Sequence, residues 1–525
     1  MPIEGAPLEP PAPLEQVVRR GLEATPDDVA LVSAEDRTTW RELDEAAARL
    51  AAGYRALGLG AGDRIASLMP NRVVLAVHYL ACVRAGLVAT PLNYRYSARE
   101  IDHALAVSGA AALLVHAERA DDVAASRLAG GLARGLIWSA GDGTGGRRLE
   151  GLLAGDAGGA PVPEPPGPAA PAAIFFTSGS TGPAKGVTHT LETLAWMCAS
   201  AVAGFELTAG DVFLPASSMS HIGSFLWTFS SLSVGARVVV ARTYDAGEVL
   251  PLLRAHRPTV LAMIPAALTA LVRDHGVSAD DLACLRVCRS GSDKVSLRLE
   301  DDFVALAGFP IDEGYGMTEV GLATLNPPSG VIKRGSIGRP IGGFAISVRD
   351  DEGAEVPPGE VGRAWIRTRS RTVGYWDDPE ASAAIVRDGW LDSGDLVRPD
   401  EDGYLWFFGR KKQIIVHDGS NISPYEVEGA LVEHPAVALA GVVGIHDEVH
   451  GENVRAYVTL TDPGARPTSQ ELIDFVRERV GYKAPEEVVV LEEMPLNPTG
   501  KVDRTALKRL AEDHLHPHGL GAAAP

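Results

Sequence analysis

The sequence predicts a two-lobed α/β protein: a large N-terminal lobe of α/β layers carrying a β-rich subdomain, then a smaller α+β C-terminal domain. Three observations carry that prediction. Helical patterns alternate with short apolar runs over most of the first lobe, the texture changes to short strands and turns from Gly335, and a fresh alternation starts after GYLWFFGRKKQ. Short apolar strands alternating with amphipathic helices argue for parallel sheets covered by helices.

The Pro-rich first dozen residues predict a loose arm. From Leu14 to Ala125, TWRELDEAAARLAAGYRAL has the spacing of an amphipathic helix and RIASLM that of a strand, punctuated by LGLGAGDR and VATPLN. Residues Gly141 to Pro171 are rich in Gly and Pro and read as a surface linker inside one domain. Alternation resumes at AAIFF and continues through ARVVVA, TVLAMI and LRVCRSG. From Gly335 to about Trp376, FAISVRDDEGAEVPPGEVGRAWIRT gives the β-rich subdomain. SPYEVEGALVEHP, ALAGVVGI, RAYVTL, SQELIDFVRERV and EEVVVLEE then fill a small α+β domain. The boundary is set at 1–412 and 413–525, with a loose tail after about 511.

A chain of 525 residues with 46% hydrophobic residues is too long for one core. Its 48 basic and 68 acidic residues give a net charge of −20, without a basic run, which excludes nucleic acid or anionic lipid as main partner. No apolar stretch nears the roughly 18 residues that span a bilayer. Four cysteines without a CxxC pair, and an acidic Pro-rich start unlike a signal peptide, point to the cytoplasm. Only eight lysines occur, so each is conspicuous.

The most informative segment is AAIFFTSGSTGPAKGVTHT, an apolar strand running into a Ser/Thr/Gly loop and then Lys185. Small residues let backbone N–H groups approach phosphate oxygens, and a lysine adds positive charge. It is not a Walker loop, because Ala184 and Gly186 stand where Gly and Ser/Thr are needed. In DEGYGMTEVG, Thr318 and Glu319 offer a hydroxyl and a carboxylate suited to Mg²⁺–nucleotide binding. Asp395 in a turn and Arg410 at a strand end can bond ribose hydroxyls and phosphate. Lys501 stands on a Pro/Gly-flanked loop, NPTGK. Two other patterns carry nothing: GDGTGG sits in the linker, and HDEVH (His446 to His450) has Asp447 where HExxH needs Glu, bracketed by Gly444 and Gly451.

In this order TSGSTGPAKG, YGMTE, SGD, GR and NPTGK resemble the adenylate-forming superfamily, in its acyl-CoA synthetase branch, from about Leu14 to Leu510. The resemblance implies a mobile C-terminal domain hinged after Gly409-Arg410-Lys411-Lys412. It also implies two steps: a carboxylate attacks the α-phosphate of ATP to give acyl-AMP, then the thiol of coenzyme A displaces AMP. By the same resemblance Thr177, Ser178, Gly179, Ser180, Thr181, Gly182 and Lys185 hold phosphates, Thr318 touches phosphate and Glu319 holds Mg²⁺. Tyr315 packs on adenine, with Ser292, Asp293, Asp312, Glu313 and Gly314 also at the nucleotide, and Asp395 and Arg410 take the ribose. Lys501 neutralises charge in the first step, His221 joins the catalytic group, and Gly419 lines the thiol path. Ile222, Gly223, Phe225, Met263, Ile264, Pro265, Gly291, Gly316 and Met317 line the acyl pocket.

The stretch LPASSMSHIG has no acid to pair with an ammonium, which disfavours an α-amino acid. No arginine stands out to clamp a second carboxylate. The expectation is therefore a stand-alone acyl-CoA ligase for an apolar, bulky or long-chain acid. Alternatives are an enzyme loading a carrier protein, a thiolation-biased member fed by a partner adenylating enzyme, or an idle adenylate-binding scaffold; a homodimer is left open. Three positions depart from the family pattern: Asp293-Lys294 in SGSDK, Gln413 at the hinge, and Asp418 before Gly419.

Overall fold

The computed structural model describes residues 1–515 except 142–144, 156–165, 178–182, 292, 419, 448, 463, 465–466 and 499, with backbone alone for 512–515. Two large sheets form the N-terminal lobe. One runs, in spatial order, Gly374–Tyr375, Gly186–Thr190, Pro171–Phe176, Val88–Pro91, Arg64–Leu68, Ala112–His116, Gly135–Ser139 and Arg147–Arg148. The other runs Arg339–Pro340, Gly321–Leu325, Asp312–Met317, Val287–Gly291, Val260–Met263, Val212–Ala216, Arg237–Val239, Val29–Val32 and Arg37–Thr39. Their centres are parallel, as alternating helices and strands require.

Between the sheets lie helices buried nearly all round. Val73–Ala85 and Ile222–Val234 carry no acidic residue and join the main core from both sides. There Phe225 stacks on Phe229 at 4.3 Å and meets Tyr79 and Phe175 edge-on, so this side chain expected in the acyl pocket is core instead. Aromatic clusters of this kind bury large areas in few residues. Helix Trp40–Ala56 begins at a capping box, Thr39 with Glu42, and buries Leu43, Ala47, Leu50 and Tyr54 on one stripe. Helices Ala246–His256, Pro265–Arg273 and Leu297–Ala307 cover the outer face of the second sheet. Met263 belongs to that outer cluster with Leu261, two residues away on the same strand face; strand alternation turns it from the expected pocket.

A third sheet holds Ile3–Glu4, Phe344–Arg349, Gly362–Thr368, Trp390–Pro399 and Val386–Arg387, with Leu405–Arg410 paired to Trp390–Pro399. The loose arm is thus corrected: Ile3–Glu4 extends a sheet edge, Ile3 opposite Ile346. Part of the linker is ordered too, since Leu149–Leu153 forms a helix against Trp40–Ala56, with Leu152 beside Gly53. The fourth sheet, Ser420–Ile422, Ile415–His417, Gly451–Leu460, Val437–Asp447 and Glu487–Val490, lies wholly C-terminal and has its own core. Its last helix, Arg504–Leu515, runs past the point where the loose tail was set. Among the described residues no helix is long and apolar enough to cross a membrane. All four cysteines are free, three of them buried.

Candidate active site

Thr177 and Tyr315 stand at the carboxyl ends of parallel strands, where open α/β sheets present their loops, and Asp395 and Arg410 come from the antiparallel third sheet. Asp395 and Arg410 stand directly opposite on antiparallel neighbours and pair at 3.0 Å from Nε to Oδ1. Asp395 is buried, and the Tyr315 hydroxyl donates to its Oδ2 at 2.6 Å. Tyr315 stacks on Phe407 at 6.3 Å. Burial first, then the Asp395 carboxylate, pushes the Tyr315 phenol well up, so it stays a donor.

A second knot holds the phosphate side. Thr177 donates its N–H to the carbonyl of Lys185 at 3.1 Å, closing the base of the loop. Ser178, Gly179, Ser180, Thr181 and Gly182 lie outside the described residues, as do Ser292 and Gly419. The Lys185 ammonium sits 5.0 Å over the Tyr375 ring and 3.4 Å from Asp378. The Tyr375 hydroxyl donates to Glu319 at 2.9 Å, so one tyrosine bridges the expected phosphate and metal positions. Burial raises the Glu319 carboxyl. Its neighbour Thr318 is fixed through its carbonyl, 2.8 Å from His189 Nε2. Burial pushes His189 down to about 4, so the ring is neutral and its Nε2–H donates.

Lys501 comes from the C-terminal domain. Asn497 and Lys501 exchange bonds, Lys501 N–H to Asn497 Oδ1 at 3.1 Å and Asn497 N–H to the Lys501 carbonyl at 2.8 Å. Asn93 anchors this loop to the large lobe: its Nδ2 lies 3.0 Å from the Pro498 carbonyl and 3.1 Å from His221 Nε2. Burial, and next the Lys501 charge, push His221 down to about 4. Burial also lowers Lys501, against the opposing pull of Asp293 and Asp395. Asp293 is exposed, accepts the Lys294 N–H at 2.9 Å and acts on Lys501 and Arg504, so it faces the C-terminal domain. Arg504 grips Glu428 with Nη2 at 2.8 and 2.7 Å and lies 4.4 Å over Tyr425.

Other expected positions divide. Ile222, Gly223, Ile264, Pro265 and Met317 are half-buried and Gly316 exposed, as a lining requires. Gly291 and Gly314 are buried with no room for a side chain: a Cβ on Gly314 would stand 2.8 Å from Leu325. Asp312 is corrected, because it turns into the sheet and accepts the Asn326 N–H at 3.1 Å. Glu313 is buried, accepts the Val295 N–H at 3.2 Å, and is pushed up to about 7 by burial. Arg289 donates to the Gly314 carbonyl at 3.2 Å, lies 5.4 Å over Trp227, and would meet a Cβ on Gly291 at 2.6 Å. Burial lowers it to about 10, still a cation. Its signal was an arginine in the apolar run LRVCRSG; Asn93 sits just past a strand end in TPLN, whereas nothing in GYW marks Tyr375.

Comparison with known proteins follows the same division. Residues 18–376 match the family described as AMP-binding enzyme, and 426–501 its C-terminal domain. A feruloyl-CoA synthase of Amycolatopsis sp. is 34% identical over 90% of this chain and 93% of its own. The fatty acid–[acyl-carrier-protein] ligase ScoC of Streptomyces coeruleorubidus is 33% identical over 91% and 92%. The crystal structure of ATP-bound MatB from Rhodopseudomonas palustris superposes with a TM-score of 0.87 at 28% identity, covering 96% of this chain and 100% of that one.

Proposed function

Because the chain belongs to the AMP-binding enzyme family of ATP-dependent ligases, we propose that it joins an apolar, bulky or long-chain carboxylic acid to CoA through acyl-AMP. One observation carries this reading: Asn93 ties the Lys501 loop to the lobe that holds Asp395, Arg410 and Tyr315, so a cation arrives where the nucleotide ligands converge.

In the first step the acid's carboxylate oxygen bonds to the α-phosphorus of ATP and the bond to pyrophosphate breaks. Charge builds between two anions, and Lys501 is placed to neutralise it; an oriented charge in a water-poor site needs no reorganisation during reaction. Asp395 and Arg410 take the ribose hydroxyls, with Tyr315 beside the base. Lys185 and the loop from Thr177 hold the phosphates. His221, neutral and bonded to Asn93, borders acid and lysine together and positions rather than charges the site. Glu319 and the Thr318 hydroxyl suit Mg²⁺, since Glu319 is a buried carboxyl bonded to the Tyr375 hydroxyl, and hard oxygen donors fit that ion. Bound there, Mg²⁺ would spread phosphate charge. In the second step the thiol sulfur bonds to the acyl carbon, AMP leaves, and the thiol proton goes to solvent. Gly419 is assigned to the thiol path, with the C-terminal domain at 413–525 as the moving part. Four free thiols suit the cytoplasm.

A panel of aryl and long-chain acids, assayed in parallel for pyrophosphate release and CoA thioester, tests the proposal. Release with thioester for at least one acid supports it; release with no thioester on free CoA favours loading of a carrier protein, the second reading that similarity to ScoC supports.

A further inference from the structure

The segment HDEVH forms no helix; it ends the strand Val437–Asp447 and turns into Gly451–Leu460. His450 meets instead the hairpin that follows the hinge. Its Nδ1 lies 2.9 Å from Asp418 Oδ1, and its ring stacks on His417 at 5.2 Å and 23°. His417 Nδ1 lies 2.7 Å from the Glu452 carbonyl. A carbonyl only accepts, so Nδ1 carries the proton and Nε2 of the neutral ring presents a lone pair. That lone pair faces Asp418 Oδ2 at 3.7 Å and Glu486 Oε1 at 3.5 Å. Glu486 is itself fixed, its other oxygen accepting the Val454 N–H at 2.6 Å.

A shared cation would satisfy the His417 lone pair and the carboxylate together. Donors 2.0–2.2 Å from a tetrahedral zinc stand about 3.3–3.6 Å apart, close to the spacings of His417 Nε2 from the two carboxylates. One ligand atom each of His417, Asp418 and His450 lies within 4.8 Å of the others. A histidine whose remote nitrogen donates to a backbone carbonyl is oriented as zinc-bound histidines are. Two imidazoles with a carboxylate suit zinc better than Mg²⁺ or Ca²⁺, which prefer oxygen alone.

We propose that His417, Asp418 and His450 form a zinc site, with water as the fourth ligand, that ties the hairpin strands Ile415–His417 and Ser420–Ile422 to the turn before Gly451–Leu460. The backbone already prepares the contact: Asp418 N–H donates to the His450 carbonyl at 2.9 Å, and Val416 N–H to Glu452 at 2.9 Å. The site does not depend on the acid or the thiol the protein uses. It stiffens the pairing of Ile415–His417 with Ser420–Ile422.

The test uses untagged full-length protein titrated with Zn²⁺ by calorimetry and with Co²⁺ by visible absorption. Expected are one ion per chain, a tetrahedral Co²⁺ spectrum, and at least tenfold weaker binding for His417→Ala and for His450→Ala. His446→Ala, on the same strand but outside the cluster, keeps full affinity. Zinc also slows amide exchange across 415–422. Matched thermal midpoints without zinc verify that the variants fold. No binding, binding unaltered in the His417→Ala/His450→Ala double variant, or unchanged exchange across the hairpin each overturns the proposal.

Discussion

Asp395 and Lys501 face one charged cluster, yet the first is set into a sheet and the second arrives on a loop held by a few polar contacts. Asp395 has its partner opposite on the neighbouring strand and a tyrosine from a second sheet, so its geometry follows from the core. Lys501 depends on its turn with Asn497, on Asn93, and on a Gly500 that passes close to Tyr244. Asp395 is held by burial; Lys501 is held by bonds that water can replace. Arg504 with Glu428 lies wholly inside the C-terminal domain, as Lys501 does.

The largest effect should come from the fixed half. Asp395→Ala leaves the buried Tyr315 hydroxyl without its acceptor while the 43%-exposed Arg410 turns to water, a loss of about 1–3 kcal/mol. Urea denaturation should register that loss, and both half-reactions should fall together. Lys501→Ala should leave stability unchanged and lower pyrophosphate exchange about 10²–10³-fold. Its rate of thioester formation from supplied acyl-AMP should stay within a few-fold of wild type, and equal loss in both assays would break the division drawn here.

Glu313 tests how sealed the fixed half is. Its folded pKa, raised to about 7 from an ordinary 4.5, means its contribution is fully present below pH 4.5 and is lost as pH rises through 7. Glu313→Gln removes that dependence. Urea midpoints at pH 5 and pH 8 should show wild type losing stability against the variant, by about 3 kcal/mol at most. An equal slope for both proteins would mean water reaches the group.

Asn93→Ala should cost about 1 kcal/mol, the net worth of one hydrogen bond. That appears as a five- to tenfold fall in pyrophosphate exchange alone, because the bond to Pro498 exists only while the loop is docked. Smallest is Asp293→Ala. An exposed carboxylate beside a cation is worth about 0.2–1 kcal/mol, so exchange should fall up to about fivefold. A gain would place Asp293 against the nucleotide instead of against Lys501.

Some of this was legible in the chain. Thr39 and Glu42 mark a helix start by spacing alone, and the strand-loop-lysine run at Phe176 to Lys185 announces a phosphate site because local residue types decide local backbone. Met263 and Phe225 were misplaced because an apolar residue on a strand or helix near a site has two faces to choose from. Only the packing of neighbours settles which face looks inward. Asp312 shows the same ambiguity for a charge, since its partner Asn326 stands on another part of the sheet.

By itself, then, the sequence determined the alternating α/β lobe, the later α+β unit and the loops bearing Lys185, Glu319 and Lys501, since propensity, periodicity and turn chemistry act over a few residues, whereas Asp395, expected in a turn, stands in the strand Trp390–Pro399. Tertiary structure alone decided that Tyr375 bridges Lys185 and Glu319, that Asn93 reaches Pro498 across 405 positions, and that His450 pairs with Asp418 rather than His446. Those partners are far apart along the chain, and only the closing of the cores brings their side chains within hydrogen-bond range.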